Sequence, residues 1–332
     1  MSTAPLERAV PTRRSGVDLK AIGPVLALIL LLVIGASISD GFLSWANMTN
    51  VLSRSAFIGI IAVGATFVIA SGGIDLSVGS MAAFVAGSMI LIMNALVPTM
   101  GAGASTLAVG MLAALAIGVV AGSVNGGLIT KAGIEPFIVT LGTMGIYRSL
   151  VTWLADGGTL SLDSGIRTIY RPVYFDGILG VPWPIIAFAL VAIAGQIVMS
   201  MTSFGRHVSA IGSNEDVARY SAIRVDRVKT FAYVLQGICV AVATLLYVPR
   251  LGSASPSTGV LWELEAIAAV IIGGTLLKGG YGRVWGTVVG VLILGFIGNI
   301  LNITSLVSNY LNGAIQGVII VAAVLLQRSR KS

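Results

Sequence analysis

Residues 57–70 read FIGIIAVGATFVIA, and residues 71–80 continue as SGGIDLSVGS. The first stretch holds no charge and suits a helix in lipid, where crossing takes about 20 mostly apolar residues. The second brings three glycines, a carboxylate and three serines directly against that apolar run. An apolar span that ends in a polar, glycine-rich break is the pattern from which the rest of the chain can be read.

Outward from it the same alternation repeats. Candidate spans lie near 22–39, 51–71, 74–96, 106–130, 135–155, 183–202, 229–248, 265–277, 284–302 and 309–326. The expected fold is an all-α integral membrane protein with about ten transmembrane helices, some short or discontinuous. Composition agrees. Of 332 residues, 56% are hydrophobic and only 10% charged, with a mean hydropathy of +0.97. Soluble domains carry about 25% charged residues, so a soluble enzyme is excluded and lipid is the expected solvent. The 42 glycines suit helices that approach closely in a bilayer. One cysteine, Cys239, excludes an internal disulfide framework and any Cys-rich metal site.

An even number of spans puts both termini on one side, and the basic residues say which. With the termini inside, cytoplasmic segments hold Arg8, Arg13, Arg14, Lys20, Lys131, Arg206, Arg219, Arg224, Arg227, Lys229, Lys278, Arg283, Arg328, Arg330 and Lys331. External segments hold Arg167, Arg171 and Arg250, while Arg54 and Arg148 fall inside spans. Fifteen against three is a strong positive-inside bias. The net charge of +7 is therefore a topology signal and not a nucleic-acid patch. The first apolar segment is long and lacks a clear cleavage site, so it reads as an uncleaved helix. The expected organisation is an N-terminal cytoplasmic tail 1–20, a membrane domain 21–328 containing a cytoplasmic loop 203–228, and a C-terminal tail 329–332.

Two spans read as defective: 51–71, which opens on Ser53, Arg54 and Ser55, and 265–277, which Gly273-Gly274 interrupts. Short, Gly-interrupted spans in the two halves of a transporter point to discontinuous helices along a substrate path. They stand six places apart in the order of spans, so they run in the same direction, as parallel repeats would.

Several chemistries are missing from the sequence. No G-x-x-x-x-G-K-[ST] occurs to cradle nucleotide phosphates. His207 is the single histidine and sits in a basic loop, which leaves no H-E-x-x-H site and no buried Ser-His pair. Gly279-Gly280-Tyr281-Gly282 has a filter-like look, but Lys278 and Arg283 flank it, which suits a cytoplasmic turn.

Three motifs remain. In Gly72-Gly73-Ile74-Asp75-Leu76-Ser77-Val78-Gly79-Ser80, the glycines permit a tight turn and Asp75 can cap the following helix. Two readings stay open here, a capped turn between spans or a half-helix start with Asp75 or Ser77 beside a translocated solute. In the loop from Phe204 to Lys229, Ser213-Asn214-Glu215-Asp216 fits a capping box, and a short helix can run through to Ile223. Ala218 and Ala222, four apart, leave a face on which another protein can sit. Third, Glu263 and Glu265 begin the short eighth span and could accept hydrogen bonds from a hydroxylated solute or meet an external partner. Asn125, Gln236, Asn299, Asn302 and Gln316 are polar positions in or at the ends of spans, suited to interhelical hydrogen bonds.

Taken in order, these motifs resemble the membrane permease subunits of bacterial ABC importers for ribose and related monosaccharides. The residues that carry the resemblance are Gly72–Ser80, Glu135-Pro136-Phe137-Ile138-Val139-Thr140-Leu141-Gly142-Thr143, Phe204-Gly205-Arg206-His207, Ala210-Ile211-Gly212-Ser213-Asn214-Glu215 and the run Glu263 to Gly274. The resemblance covers about residues 50–328 and implies a multi-pass protein of the bacterial inner membrane with both termini cytoplasmic. It implies two copies of the permease around the path, a cytoplasmic ATP-binding cassette subunit and a periplasmic sugar-binding protein. ATP and magnesium would be used by that ATPase subunit, with no cofactor in this chain. Ser213, Asn214, Glu215, Ala218, Arg219 and Ile223 match the helix that couples to the ATPase. Asp75, Ser77, Asn125, Phe137, Thr140, Glu263 and Glu265 are the expected path residues. Ala222 departs from the pattern, standing where relatives commonly have glycine. If that site needs positive φ, alanine costs about 1 kcal/mol; a helix that runs slightly farther would avoid the cost, and is the expectation here. The competing class is an ion-coupled secondary transporter, which would want acids deep in several spans; Asp75 is the main candidate.

Overall fold

The computed structural model describes residues 19–304 together with Ala314, Gly317 and Val318. Arg8, Arg13, Arg14, Gln316, the C-terminal basic residues and most of the tenth candidate span, 309–326, lie outside the described residues. Four long helices open the chain: α1 (Leu19–Ile38), α2 (Trp45–Ala70), α3 (Val78–Met100) and α4 (Ala104–Lys131). They are followed by α5 (Pro136–Leu154), β1 (Leu160–Ser161), α6 (Ser164–Tyr170), α7 (Pro172–Phe175), β2 (Gly177–Ile178) and β3 (Val181–Pro182). The second half comprises α8 (Trp183–Met201), α9 (Ser203–Ser213), α10 (Glu215–Tyr220), α11 (Val225–Leu251), β4 (Ser253–Ala254), α12 (Trp262–Ile272) and α13 (Val284–Thr304). Seven of these helices are long and apolar enough to cross a membrane: α2, α3, α4, α5, α8, α11 and α13. With α1 and the short α12 they make an all-α multi-pass membrane protein, and nine of the ten candidate spans have a helix among the described residues.

Helices α2 and α11 form the interior. α11 packs along both α4 and α2, and α2 is buried over most of its length. The α4–α11 contact is close because α4 offers a ridge of small residues at four-residue spacing. Gly118 faces the Gly237 backbone, Gly122 faces Tyr233 and Val234, and Gly126 faces Thr230. A Cβ at any of the three would run into backbone, so this is small-residue packing in the sense used by membrane helices. The outer helices turn Leu26, Leu30, Leu112, Val120 and Leu190 outward, as a lipid-facing surface requires. Cys239 is buried in α11.

The second span is not short. Ser44 accepts a hydrogen bond from the Asn47 amide at 3.3 Å, and α2 starts at Trp45 and runs for 26 residues. The expected defect came from Ser53, Arg54 and Ser55, which sit inside the helix. Ser53 and Ser55 are buried there, and Arg54 faces a polar cavity. The eighth span is short, as expected, because α12 has 11 residues.

The bundle has two unlike ends. At one, β1 pairs antiparallel with β4, Leu160 opposite Ala254 and Ser161 opposite Ser253. Asn94 near the end of α3 joins them, donating to the Ser161 carbonyl at 2.8 Å and accepting from the Asp163 amide at 2.9 Å. At the other end lie α9 and α10, the turn after α2 and the loop Gly273–Arg283. Residues 73–77, which form neither helix nor strand, leave this end and bring the start of α3 against the α11–α12 connection. There the space around Gly79 is filled by the Gly259 carbonyl and the Glu263 carboxylate.

Candidate functional site

In residues 73–77, Gly73, Asp75 and Ser77 are buried and Ile74 and Leu76 partly so, and backbone buried in this way needs hydrogen-bond partners. The Ile74 carbonyl accepts from the Tyr233 hydroxyl of α11 at 3.1 Å and lies 3.5 Å from Thr140 Oγ1 of α5. Asp75 Oδ1 accepts from both the amide (2.9 Å) and the hydroxyl (2.6 Å) of Ser77. Asn125 of α4 donates to Ser77 Oγ at 2.9 Å. Four expected path residues, Asp75, Ser77, Asn125 and Thr140, are thus brought together across α4 and α5, all buried. Asp75 does not cap α3 as expected. Ser77 occupies the cap position, and the carboxylate reaches back to hold it. Asp75 Oδ2 and Asn125 Oδ1 have no hydrogen-bond partner among the described residues, nor does either amide atom of Gln236.

The other three expected path residues go elsewhere. Phe137 is 54% exposed on the outer surface of α5. Glu263 stands beside Gly79, within electrostatic reach of Arg148. Arg148, whose charge inside a span points to an aqueous cavity or an acidic partner, donates to the Thr258 carbonyl at 2.7 Å and to the Pro256 carbonyl, tying α5 to the α11–α12 connection. Glu265 leaves α12 on another side and lines a cavity of about 320 Å3 with Asn50, Arg54, Ser55, Asn299 and Asn302. An arginine and three asparagines from two spans make this cavity polar. The charge inside a span at Arg54 was its signal in the sequence.

The α9–α10 loop corrects several expectations. Ser213 ends α9, its hydroxyl donating to the Ser209 carbonyl at 2.9 Å, and does not begin the next helix. Asn214 is the cap, its Oδ1 accepting from the Val217 amide at 3.0 Å. The helix α10 has six residues and stops at Tyr220, well short of Ile223. Ala222 has φ +60°, and the amides of Ala222 and Ile223 donate back to the Arg219 and Ala218 carbonyls at 3.1 Å each. This is the left-handed helix terminus that glycine serves best, so the departure at Ala222 is accommodated in strained backbone and not by a longer helix.

Ala218 is 3% exposed and packs with Ile211, Ile223, Val225 and Val228 of the same chain. Of the small face expected to receive another protein, Ala218 is covered by the loop itself and Ala222 is exposed. What α10 turns outward is Val217, 59% exposed, and Tyr220, 92% exposed. Neither was singled out from the sequence; an aromatic side chain within a capped, charged loop was the available signal. Glu215 is bound by Lys229 and, at 3.1 Å, by Arg219, which also reaches Asp226 at 3.5 Å. The hydrogen bond from Lys229, aided by Arg219, holds the Glu215 carboxyl below the usual carboxylate range despite partial burial. The loop is anchored from below, where Phe204 of α9 stacks on Phe67 of α2 at 5.8 Å and meets Phe231 of α11 edge-on at 5.0 Å.

Known proteins share this layout in sequence. Residues 47–324 match the family described as branched-chain amino acid transport system / permease component. The ribose import permease of Bacillus subtilis is 40% identical over 316 residues, covering 95% of this chain and 94% of the relative. The ribose import permease of Escherichia coli K12 is 37% identical over 318 residues, covering 92% and 93%. The D-allose transport system permease of the same strain is 33% identical over 302 residues, covering 90% and 89%. The family match spans everything from α2 through α13, interior break and α9–α10 loop included. This chain therefore belongs to the branched-chain amino acid transport system permease-component family, a transport subunit and not an enzyme.

Proposed function

We propose that the chain is the membrane permease of an ATP-driven importer for a monosaccharide or related polyol, working in the bacterial inner membrane. The observation that carries this reading is the near-full-length likeness to sugar import permeases. A separate ATP-binding cassette subunit hydrolyses ATP, and a periplasmic binding protein delivers the sugar. Two permease copies enclose the path. The open space over Gly142 and Gly145 of α5, small residues of the kind that let membrane helices meet, supports a second copy there. The basic residues Arg206, Arg219, Arg224, Arg227 and Lys229 support a cytoplasmic α9–α10 end, and both termini belong to the same side in this reading.

The loop 203–228 is the coupling element. Asn214 sets the start of α10, Glu215 and Arg219 fix it to α11, and Ala218 with Ile223 forms its dry underside. Ser213 joins α9 to it. The docking surface is then Val217 and Tyr220. Closure of the ATPase pair pushes α10, and rigid-body movement of the bundle changes which side of the path is open. Asp75, Ser77, Asn125 and Thr140 hold the interior break beside that path, while Phe137, Glu263 and Glu265 lie apart from that cluster.

The test is uptake in proteoliposomes carrying the permease, its ATPase and its binding protein, with radiolabelled ribose and allose in parallel. Accumulation that needs internal ATP and survives a proton uncoupler is expected. Uptake without ATP that collapses with the uncoupler would instead establish ion coupling. Replacing Tyr220 by Asp is expected to release the ATPase from the purified permease without altering the permease's thermal stability.

A further inference from the structure

Three backbone segments far apart in sequence touch where the coupling loop meets the bundle. The Gly280 amide donates to the Ala70 carbonyl at 2.9 Å, joining the loop after α12 to the end of α2. Gly212, one residue before the end of α9, lies against both of those groups, so that a Cβ there would strike the Ala70 oxygen and the Gly280 nitrogen. A Cβ on Gly279 would come within 2.9 Å of the Gly212 carbonyl oxygen and of the Gly72 Cα and nitrogen. Gly72, Gly279 and Gly280 all have φ near +85°, at 84°, 84° and 85°. All three favour glycine for conformation, and Gly279 and Gly280 for space as well. The neighbouring Gly282 packs on Ala70, Met199 and Thr66, which extends the contact to α8.

We infer that this glycine junction is the mechanical link of the importer, and that Gly72, Gly212, Gly279 and Gly280 are its positioning residues. The inference rests on the reading of α10 as the element that receives the ATPase. A push on α10 reaches Gly212 through Asn214 and Ser213. From Gly212 it passes without intervening side chains into two segments. One is the start of residues 73–77, which hold Asp75 against Asn125 and Tyr233. The other is the loop at the foot of α12. Backbone packed on backbone has no rotamers to absorb a displacement, so motion is handed on and not dissipated. Two discontinuous regions of the membrane domain are thereby driven from one point.

The complete importer, reconstituted with its ATPase and binding protein, tests this through sugar moved per ATP hydrolysed. Gly212→Ala is expected to keep the ATPase bound and hydrolysing within about twofold of the unaltered chain while ribose uptake per ATP falls about tenfold. A merely structural loss would lower both rates together and leave their ratio unchanged. An unchanged ratio in an assembled complex overturns the inference. If Gly212→Ala does not assemble, Ser213→Cys and Tyr281→Cys on a Cys239→Ala background, joined by a short bifunctional thiol reagent, give a second test. A junction that moves as one block transports as well bridged as the same double-cysteine protein does unbridged; loss of uptake on bridging, with hydrolysis intact, would show its parts sliding and overturn the inference. Failure of the docking reading is seen separately, as an ATPase that still copurifies with Tyr220→Asp.

Discussion

Between the contact of Gly79 with Gly259 and that of Gly72 with Gly279, the chain passes once as α12 and once as residues 73–77. Eleven helical residues rise about 16 Å, and five non-helical ones reach at most about 17 Å. The helix closes its own hydrogen bonds, down to the Gly273 amide on the Ala269 carbonyl at 2.9 Å. The other passage cannot, and borrows partners from Tyr233, Thr140 and the Asp75 side chain. Irregular backbone at membrane depth survives only when the protein itself supplies what water would. The cost of the short passage is therefore spread over α4, α5 and α11, and those side chains are where it can be undone.

Substitutions rank accordingly. Gly79→Val strikes the contact that the two passages share and is expected to cost about 3 kcal/mol, read as a large fall in the melting temperature of the detergent-solubilised protein. Asp75→Ala leaves the buried amide and hydroxyl of Ser77 without an acceptor and should cost about 2 kcal/mol. Asp75→Asn keeps an acceptor, so a loss as large as that of alanine would show that charge and not hydrogen bonding matters there. Tyr233→Phe removes the stronger donor to the Ile74 carbonyl, with about 1 kcal/mol expected in the same melt. Outside both passages, Ala222→Gly relieves the left-handed backbone of the α10 terminus and should stabilise by about 1 kcal/mol. Leu264→Ala, on an exposed position of self-sufficient α12, should stay within about 0.5 kcal/mol. A larger effect would mean that α12 depends on its surroundings as much as residues 73–77 do.

The spans were legible because lipid imposes long apolar runs, and the charge map followed from them. The true start of α2 was hidden, since Ser53, Arg54 and Ser55 look like an interface when their buried and cavity-lining positions are unknown. The hydrogen bond of Asn125 to Ser77 joins residues 48 positions apart, and no periodicity marks it. Within the α9–α10 loop, Asn214 and Glu215 declared a helix start through capping chemistry. Its end was misjudged because alanine is a helix former and gives no warning of φ +60°. Ala218 could be read as a docking surface or as an inward contact, for a small side chain suits both. Tyr220 is the large ring that the loop leaves exposed, where solvation alone would favour a charge.

At the end of the bundle away from α10, Asn94, the β1–β4 pair and the residues leading into α6 are stitched into one patch. A protein or antibody fragment that meets this face reads three distant stretches of sequence as a single epitope. Such a binder reports the folded chain and not any one loop, and a peptide copied from one stretch lacks the neighbours that give it shape.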